Sequence, residues 1–460
     1  MTLLPVLRDK LCDLLLGDYQ QQSKALSILA NDIVIKCENE IWCCNSEFIW
    51  DDNQSRVKCK ILKLFKVELS KYVSKSNELL PIVEAMLEKE NILTFTKYTS
   101  DRKINIYGNI YENKAITKHI NNYLNNIISS YKDEIELFYR TKIALHKLFD
   151  KYKWSGCDEL YNAIKKSEYG INNDFRLHYL NKYAHLLSIS NKRVINLMNG
   201  EISPRTPEHY FTWELYDYDP NAPSDLFKIF IKQLCGYDLE LYESLMLLLG
   251  YCFTGETSEK IYILIRGETS TGKSALCNVL SSILSCRRGH IFAHLSSESL
   301  IGRSKIVGHE RHTAWLNNLP YSRIAMECES GTDVKLNPDK MKIMMGDTIR
   351  LKRLYKKPRD EKIHFKMIIN CTGHVSVNID DSTIKEIIVP FKTEFTERIT
   401  NPEKQMQWNP DFVKKVQDNP AGGLNALIEY AQKYYQGRFD VNGNPVSLYS
   451  RMCDRIKLNR

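Results

Sequence analysis

Eight consecutive residues, Gly267-Glu268-Thr269-Ser270-Thr271-Gly272-Lys273-Ser274, follow the pattern G-x-x-x-x-G-K-[ST]. That spacing suits the binding of a nucleoside triphosphate. Two glycines let the backbone curl so that its N–H groups face an anion, Lys273 can reach the β and γ oxygens, and the Ser274 hydroxyl can hold Mg²⁺. ATP and Mg²⁺ are therefore the expected ligands. Hydrolysis also needs a carboxylate beside the metal and the attacking water. The run Arg323-Ile324-Ala325-Met326-Glu327-Cys328-Glu329 supplies two acids at the end of an apolar stretch, and two residues apart on a strand they face the same way. Glu327 and Glu329 are candidate catalytic groups and metal ligands, with Glu329 the first choice for activating water; an exposed acidic turn is the other reading. A third run, Phe365 to Ile369, ends at Asn370-Cys371-Thr372, where Asn370 or Thr372 can sense the γ-phosphate. Asn is also a common turn residue at strand ends.

These groups need a scaffold that brings them to one place. Ile261 to Ile265 precede the glycine loop, and Ala275 to Leu284 read as a helix after it. Further apolar runs follow at Ile291 to Ala293, Ile324 to Met326, Met367 to Ile369 and Ile387 to Val389. Short continuous runs of this kind mark strands covered on both faces, so the expected fold is α/β, a P-loop motor with a central parallel sheet flanked by helices. The part before it reads as mainly helical. Met1 to Glu40 fits one or two helices, Ile41-Trp42 and Phe48-Ile49-Trp50 a hairpin, Lys60 to Lys71 a helix, and 110 to 200 a mostly helical stretch. Glu240 to Leu249 reads as an apolar helix stopped by Gly250. The expected layout is an N-terminal helical extension (1–40), a helical pre-motor domain (41–255), an ATPase domain (256–400) and a C-terminal helical segment (401–460).

Between Lys340 and Lys366 stand ten basic residues against three acids, a local excess of seven in a chain whose total is +8. Thr348 to Tyr355 alternates like a strand, Lys356-Lys357-Pro358-Arg359-Asp360 carries the turn signal, and Ile363 to Ile369 returns to the sheet. Lys352, Lys356, Lys357 and Arg359 are the candidate nucleic-acid contacts, since phosphate contacts ask only for flexible cations. A solvated hairpin is the plain alternative.

The remaining composition excludes several classes. The chain has 460 residues, 43% hydrophobic and 26% charged, which predicts a folded protein of two or three domains. Its longest apolar runs fall far short of the roughly 20 residues that cross a bilayer. Arg8, Lys10 and Asp13 interrupt the apolar patch of the first 16 residues, so no secretory signal is expected. Thirteen cysteines without a Cys-x-x-Cys pair argue against structural zinc and against disulfides.

Phosphate loop, acidic strand, basic hairpin and polar-tipped strand, in that order, resemble the superfamily-3 helicases, AAA+ type hexameric motors of viruses and mobile elements. The likeness is similar in detail to the poxvirus-type primase-helicase NTPases. It rests on Asn199-Gly200-Glu201, Pro207-Glu208-His209-Tyr210-Phe211-Thr212, Tyr218-Asp219-Pro220-Asn221-Ala222, Leu249-Gly250-Tyr251-Cys252-Phe253-Thr254-Gly255, Met345-Gly346-Asp347-Thr348-Ile349 and Ile388-Val389-Pro390-Phe391. It spans roughly residues 40 to 395. The resemblance implies an ATP-dependent DNA helicase of viral or mobile-element replication, a homo-oligomeric ring, expected as a hexamer, on single-stranded and forked DNA. It implies action at replication sites in the host cytoplasm or nucleus, without membrane attachment or secretion. The stretch before the matching region is short for a primase domain, so a separate primase or polymerase is the expected partner. Where the family carries an Arg pair, this chain has Ile384-Lys385-Glu386, and Lys385 is the candidate cation completing a neighbour's site, with Arg398 as fallback. The competing reading is a DNA-binding replication or loading factor whose weakened ATPase serves as an assembly switch; DNA-stimulated turnover with strand displacement separates the two.

Overall fold

The computed structural model of the chain describes residues 9–29, 34–37, 40–45, 49–89, 132–154, 172–216, 218–295, 319–327, 334–351, 359–373, 375–376 and 383–453, with a few isolated positions between them. Two compact units result, one from residues 1–45 and 51–173, the other from 46–50 and 174–460. The division thus falls at 173/174, whereas the loss of helical pattern points to 255.

In the first unit, helices Lys10–Leu16 and Tyr19–Leu29 precede an antiparallel pair, Val34–Cys37 with Glu40–Cys44. Asp9 caps the first helix by accepting the Cys12 N–H at 2.9 Å. Two long helices, Gln54–Lys89 and Lys132–Trp154, pack together through Phe65, Leu69, Phe138 and Leu145. The region is therefore mixed rather than purely helical.

The second unit is built on a five-stranded sheet. Its strands are β1 (Ile261–Arg266), β2 (Phe292–Leu295), β3 (Ile324–Glu327), β4 (Lys366–Cys371) and β5 (Lys385–Pro390), in the order β2-β3-β4-β1-β5. All four pairings are parallel. Continuous apolar runs form these strands because both faces are covered: Ile263 and Ile368 pack into one core, Leu264 and Ile369 into another. The expected α/β architecture is what the chain adopts.

On one side lie helices α1 (Asp225–Leu234), α2 (Leu239–Phe253), α3 (Lys273–Ile283), α4 (Pro410–Gln417) and α5 (Pro420–Gln436). Gly250 does not stop α2. It lies inside the helix where α5 crosses, and a Cβ there would come within 2.4 Å of the Tyr430 carbonyl carbon. Two buried cations fasten the lower ends of neighbouring strands to the end of α2. The Arg323 guanidinium, just before β3, donates to the carbonyls of Phe253 (3.0 Å) and Leu186, while Lys366, the first residue of β4, donates to the Thr254 carbonyl. Burial lowers the Lys366 ammonium to about 7.

Residues 186–204, read from pattern as the end of a helical stretch, form a three-stranded antiparallel sheet of Leu186–Ile189, Arg193–Asn196 and Ile202–Pro204. Asn191 and Lys192 both take positive φ (61° and 55°) in the turn joining the first two, the handedness that matches strand twist. Ten of the described cysteines carry no disulfide. Cys277, contrary to expectation, is disulfide-bonded. Among the described residues no helix is long and apolar enough to cross a membrane.

Candidate functional site

The glycine loop leaves the upper end of β1, and both neighbouring strands hold it there. Gly267 donates its N–H to the Cys371 carbonyl of β4 at 3.1 Å, and Phe391, just past β5, donates to the Arg266 carbonyl at 2.7 Å. A Cβ at Gly267 would come within 2.6 Å of the Phe391 oxygen. Ser270 and Gly272 have φ of 60° and 87°, so the chain reverses tightly before α3 begins at Lys273. No acidic residue stands in the first turn of α3, which leaves the positive end of its dipole uncompensated. Lys273 folds back into the loop, its Nζ donating to the carbonyls of Gly267 and Glu268, each at 2.6 Å. Desolvation pulls its pKa down. The arrangement offers N–H groups and an ammonium to an anion.

Residues 269–275 of this loop and helix start line a cavity of about 480 Å³ together with Asn370 and Thr372. Ser274 thus lies on its wall. Asn370 comes to the loop because β4 lies directly beside β1, in a register that sets it against Ile265. Its side chain is buried, 1% exposed, and neither amide atom has a hydrogen-bond partner. A buried amide left unmade costs about 1–3 kcal/mol unless a ligand completes it. Cys371, next along the strand, has its thiol pushed up to about 11 by burial and stays protonated. Glu327 is the last residue of β3, one strand further from the loop, opposite Ile369 and 1% exposed. It does not line the cavity. Glu329 lies outside the described residues.

Of the hard oxygen donors a divalent cation such as Mg²⁺ accepts together with phosphate and water, the cavity wall offers the Ser274 hydroxyl, whereas the Glu327 carboxylate lies off the cavity at the end of β3.

The basic segment does pair as antiparallel strands, Thr348–Leu351 with Arg359–Lys362. Lys352, Lys356 and Lys357 lie outside the described residues. Arg359 requires correction as a candidate DNA contact: it is 5% exposed, and its Nε lies 2.8 Å from Glu361 Oε1. Alternation along the strand turns both inward, where the Tyr321 hydroxyl also donates to Glu361 at 3.1 Å. Arg350 and Lys362, on the opposite face, are exposed. Lys385 is not gathered to this chain's loop either. It opens β5 opposite Ile261, at the lower end of the sheet, with its ammonium 5.7 Å from the Tyr449 ring centroid. Three cavity residues, Phe395, Glu397 and Trp408, were not anticipated. They belong to no recognisable motif, and an exposed tryptophan beyond the last sheet strand is their only sequence signal.

No family profile matches the chain. It is 24% identical over 209 residues to a protein of Acanthamoeba polyphaga mimivirus described as a "putative helicase", a match covering 43% of this chain. The chain spans only 21% of that relative's length. Among solved structures, two apo structures of the NrS-1 C-terminal region align with a TM-score of 0.35 each. Their identities are 13% and 15%; the alignments cover 55% and 53% of this chain and 59% and 55% of theirs.

Proposed function

We propose that this chain is an ATP-dependent DNA helicase of superfamily-3 type acting in the replication of a virus or mobile element. One observation carries the reading: the buried, unpartnered amide of Asn370 faces the cavity beside the glycine loop and Lys273. An amide held dry and unpaired beside a ring of donors suits a charged oxygen that arrives with the substrate. The distant similarity to the mimivirus protein supports the helicase part of the reading.

In this mechanism the loop N–H groups and Lys273 bind the β and γ phosphates, and Asn370 donates to the γ-phosphoryl oxygens as charge builds there. Ser274, with Glu327 or Glu329, would hold Mg²⁺, which would supply neutralisation of phosphate charge. Glu329, or Glu327 in its stead, orients the attacking water. The working form is a hexameric ring around single-stranded DNA, each site completed by a cation from the neighbour, Lys385 or Arg398. Lys356 and Lys357 grip the phosphate backbone.

The deciding experiment is ATP-driven displacement of a labelled strand from a forked DNA, with ATP turnover followed with and without single-stranded DNA. Stimulated turnover with displacement is expected. Nucleotide-dependent DNA binding without displacement would instead assign the chain as a loading factor. Replacing both Lys356 and Lys357 with Ala should abolish the stimulation and lower the slope of log affinity against log salt by about 1.4, at roughly 0.7 per lost contact on single-stranded DNA.

A further inference from the structure

One wall of the cavity comes from residues outside the glycine loop. Two short parallel strands, Glu394–Thr396 and Gln405–Gln407, lie over it. Phe395 donates its N–H to the Ser270 carbonyl at 2.8 Å, which fixes this pair to the loop, and its ring sits 3.3 Å from where a Cβ on Gly272 would stand. Trp408 follows the second strand and donates its N–H to the Thr396 carbonyl at 2.9 Å. The two rings meet edge to face, with centroids 6.2 Å apart and an interplanar angle of 73°. Glu397 stands next to them on the same cavity. An indole that packs against a partner ring yet remains 37% exposed presents a surface that the chain itself does not cover.

Resting on the nucleotide reading above, we infer that Trp408, Phe395 and Glu397 form the base subsite, which takes the base of a nucleoside triphosphate whose phosphates lie on residues 267–274. The cavity is continuous from the loop to these rings, and its volume of about 480 Å³ lies within the roughly 300–1,000 Å³ of pockets that enclose whole small ligands. Aromatic faces accept any base, because every base has a π face. Glu397 adds selection. A carboxylate only accepts hydrogen bonds, so it favours bases that offer an exocyclic amino group, as adenine does. Uracil offers its single ring N–H between two carbonyl oxygens, and those repel the carboxylate. The subsite therefore predicts preference for amino-bearing bases over uracil.

The test uses the full chain with ATP, UTP and inorganic tripolyphosphate, which carries the phosphates without a base. Trp408→Ala should raise the KM for ATP roughly tenfold while the inhibition constant of tripolyphosphate stays at the wild-type value. Trp408→Phe should recover most of the loss, and Glu397→Gln should narrow the ATP-over-UTP ratio of kcat/KM. Unchanged tripolyphosphate inhibition also certifies that the loop has folded. If KM and the tripolyphosphate constant shift together, or if neither moves, the aromatic wall is packing alone and the subsite is refuted with the loop reading intact. A wild-type chain bound by neither ATP nor tripolyphosphate would overturn both.

Discussion

Asn370→Leu separates a functional amide from a structural one, because the two roles predict opposite signs. The side chain is 1% exposed, and neither its oxygen nor its nitrogen has a hydrogen-bond partner. Leucine has nearly the same shape, so the substitution adds no cavity and removes the burial cost of an unsatisfied amide, about 1–3 kcal/mol. The nucleotide-free chain should become more stable by that amount. At roughly 2–4 °C per kcal/mol for a domain of a few hundred residues, its melting transition should rise by about 2 °C or more. ATP turnover should fall by a factor of roughly 100 or more, the usual consequence of deleting one donor to developing transition-state charge. Differential scanning calorimetry without nucleotide and steady-state phosphate release read the two effects on the same preparation. A variant that melts lower and hydrolyses ATP normally would show that the amide is paired in the working protein and that the γ-phosphate role is mistaken.

Three more outcomes follow from the same geometry. Lys273→Ala removes the ammonium held 2.6 Å from the loop carbonyls and should abolish nucleotide binding by calorimetric titration, whereas Glu329→Gln should retain binding and lose turnover. If Glu329→Gln still turns over while Glu327→Gln does not, the water-activating role belongs to Glu327. Gly272→Ala forces a left-handed residue (φ 87°) to carry a Cβ 2.3 Å from Leu234 Cδ2; denaturant titration should record a loss of about 1–3 kcal/mol or more. His364 is buried, and desolvation, aided by Lys362, Arg323 and Lys366, holds it at about 3. Below its ordinary value of about 6.5 the unfolded chain takes up a proton that the folded chain refuses. Stability should therefore fall as pH drops from about 6.5 toward 3, by up to roughly 1.4 kcal/mol per pH unit, and His364→Gln should flatten that slope.

The parallel sheet was legible because its strands are runs without polar interruption, such as Ile261 to Ile265. Their lateral order was not. Nothing in the sequence says that β4, a hundred residues downstream of β1, inserts between β1 and β3, yet that insertion is what sets Asn370 against the loop and leaves Glu327 a strand away. Short apolar segments between 186 and 204 are ambiguous between helix and strand, and the turn at Asn191-Lys192 decides them through backbone angles rather than composition. Arg359 was miscounted for a similar reason. A charge tally registers sign, but the two-residue period turns Arg359 and Glu361 inward together, and the pair neutralises itself out of solvent. Phe395 is tied to the loop by a backbone hydrogen bond to Ser270 and Trp408 follows through one to Thr396, contacts that no spacing rule encodes.

The buried basic side chains beneath the sheet fix the axial positions of two strands. Arg323 and Lys366 clamp the starts of β3 and β4 to carbonyls at the end of α2, and α2 is in close contact with α5 at Gly250. Adjacent strands pinned to one post cannot slide past each other lengthwise without breaking hydrogen bonds out of water. Any rearrangement at the phosphate end therefore has to proceed without lengthwise slip of β3 against β4, so a change there is met by the α2–α5 pair through strands that keep their register.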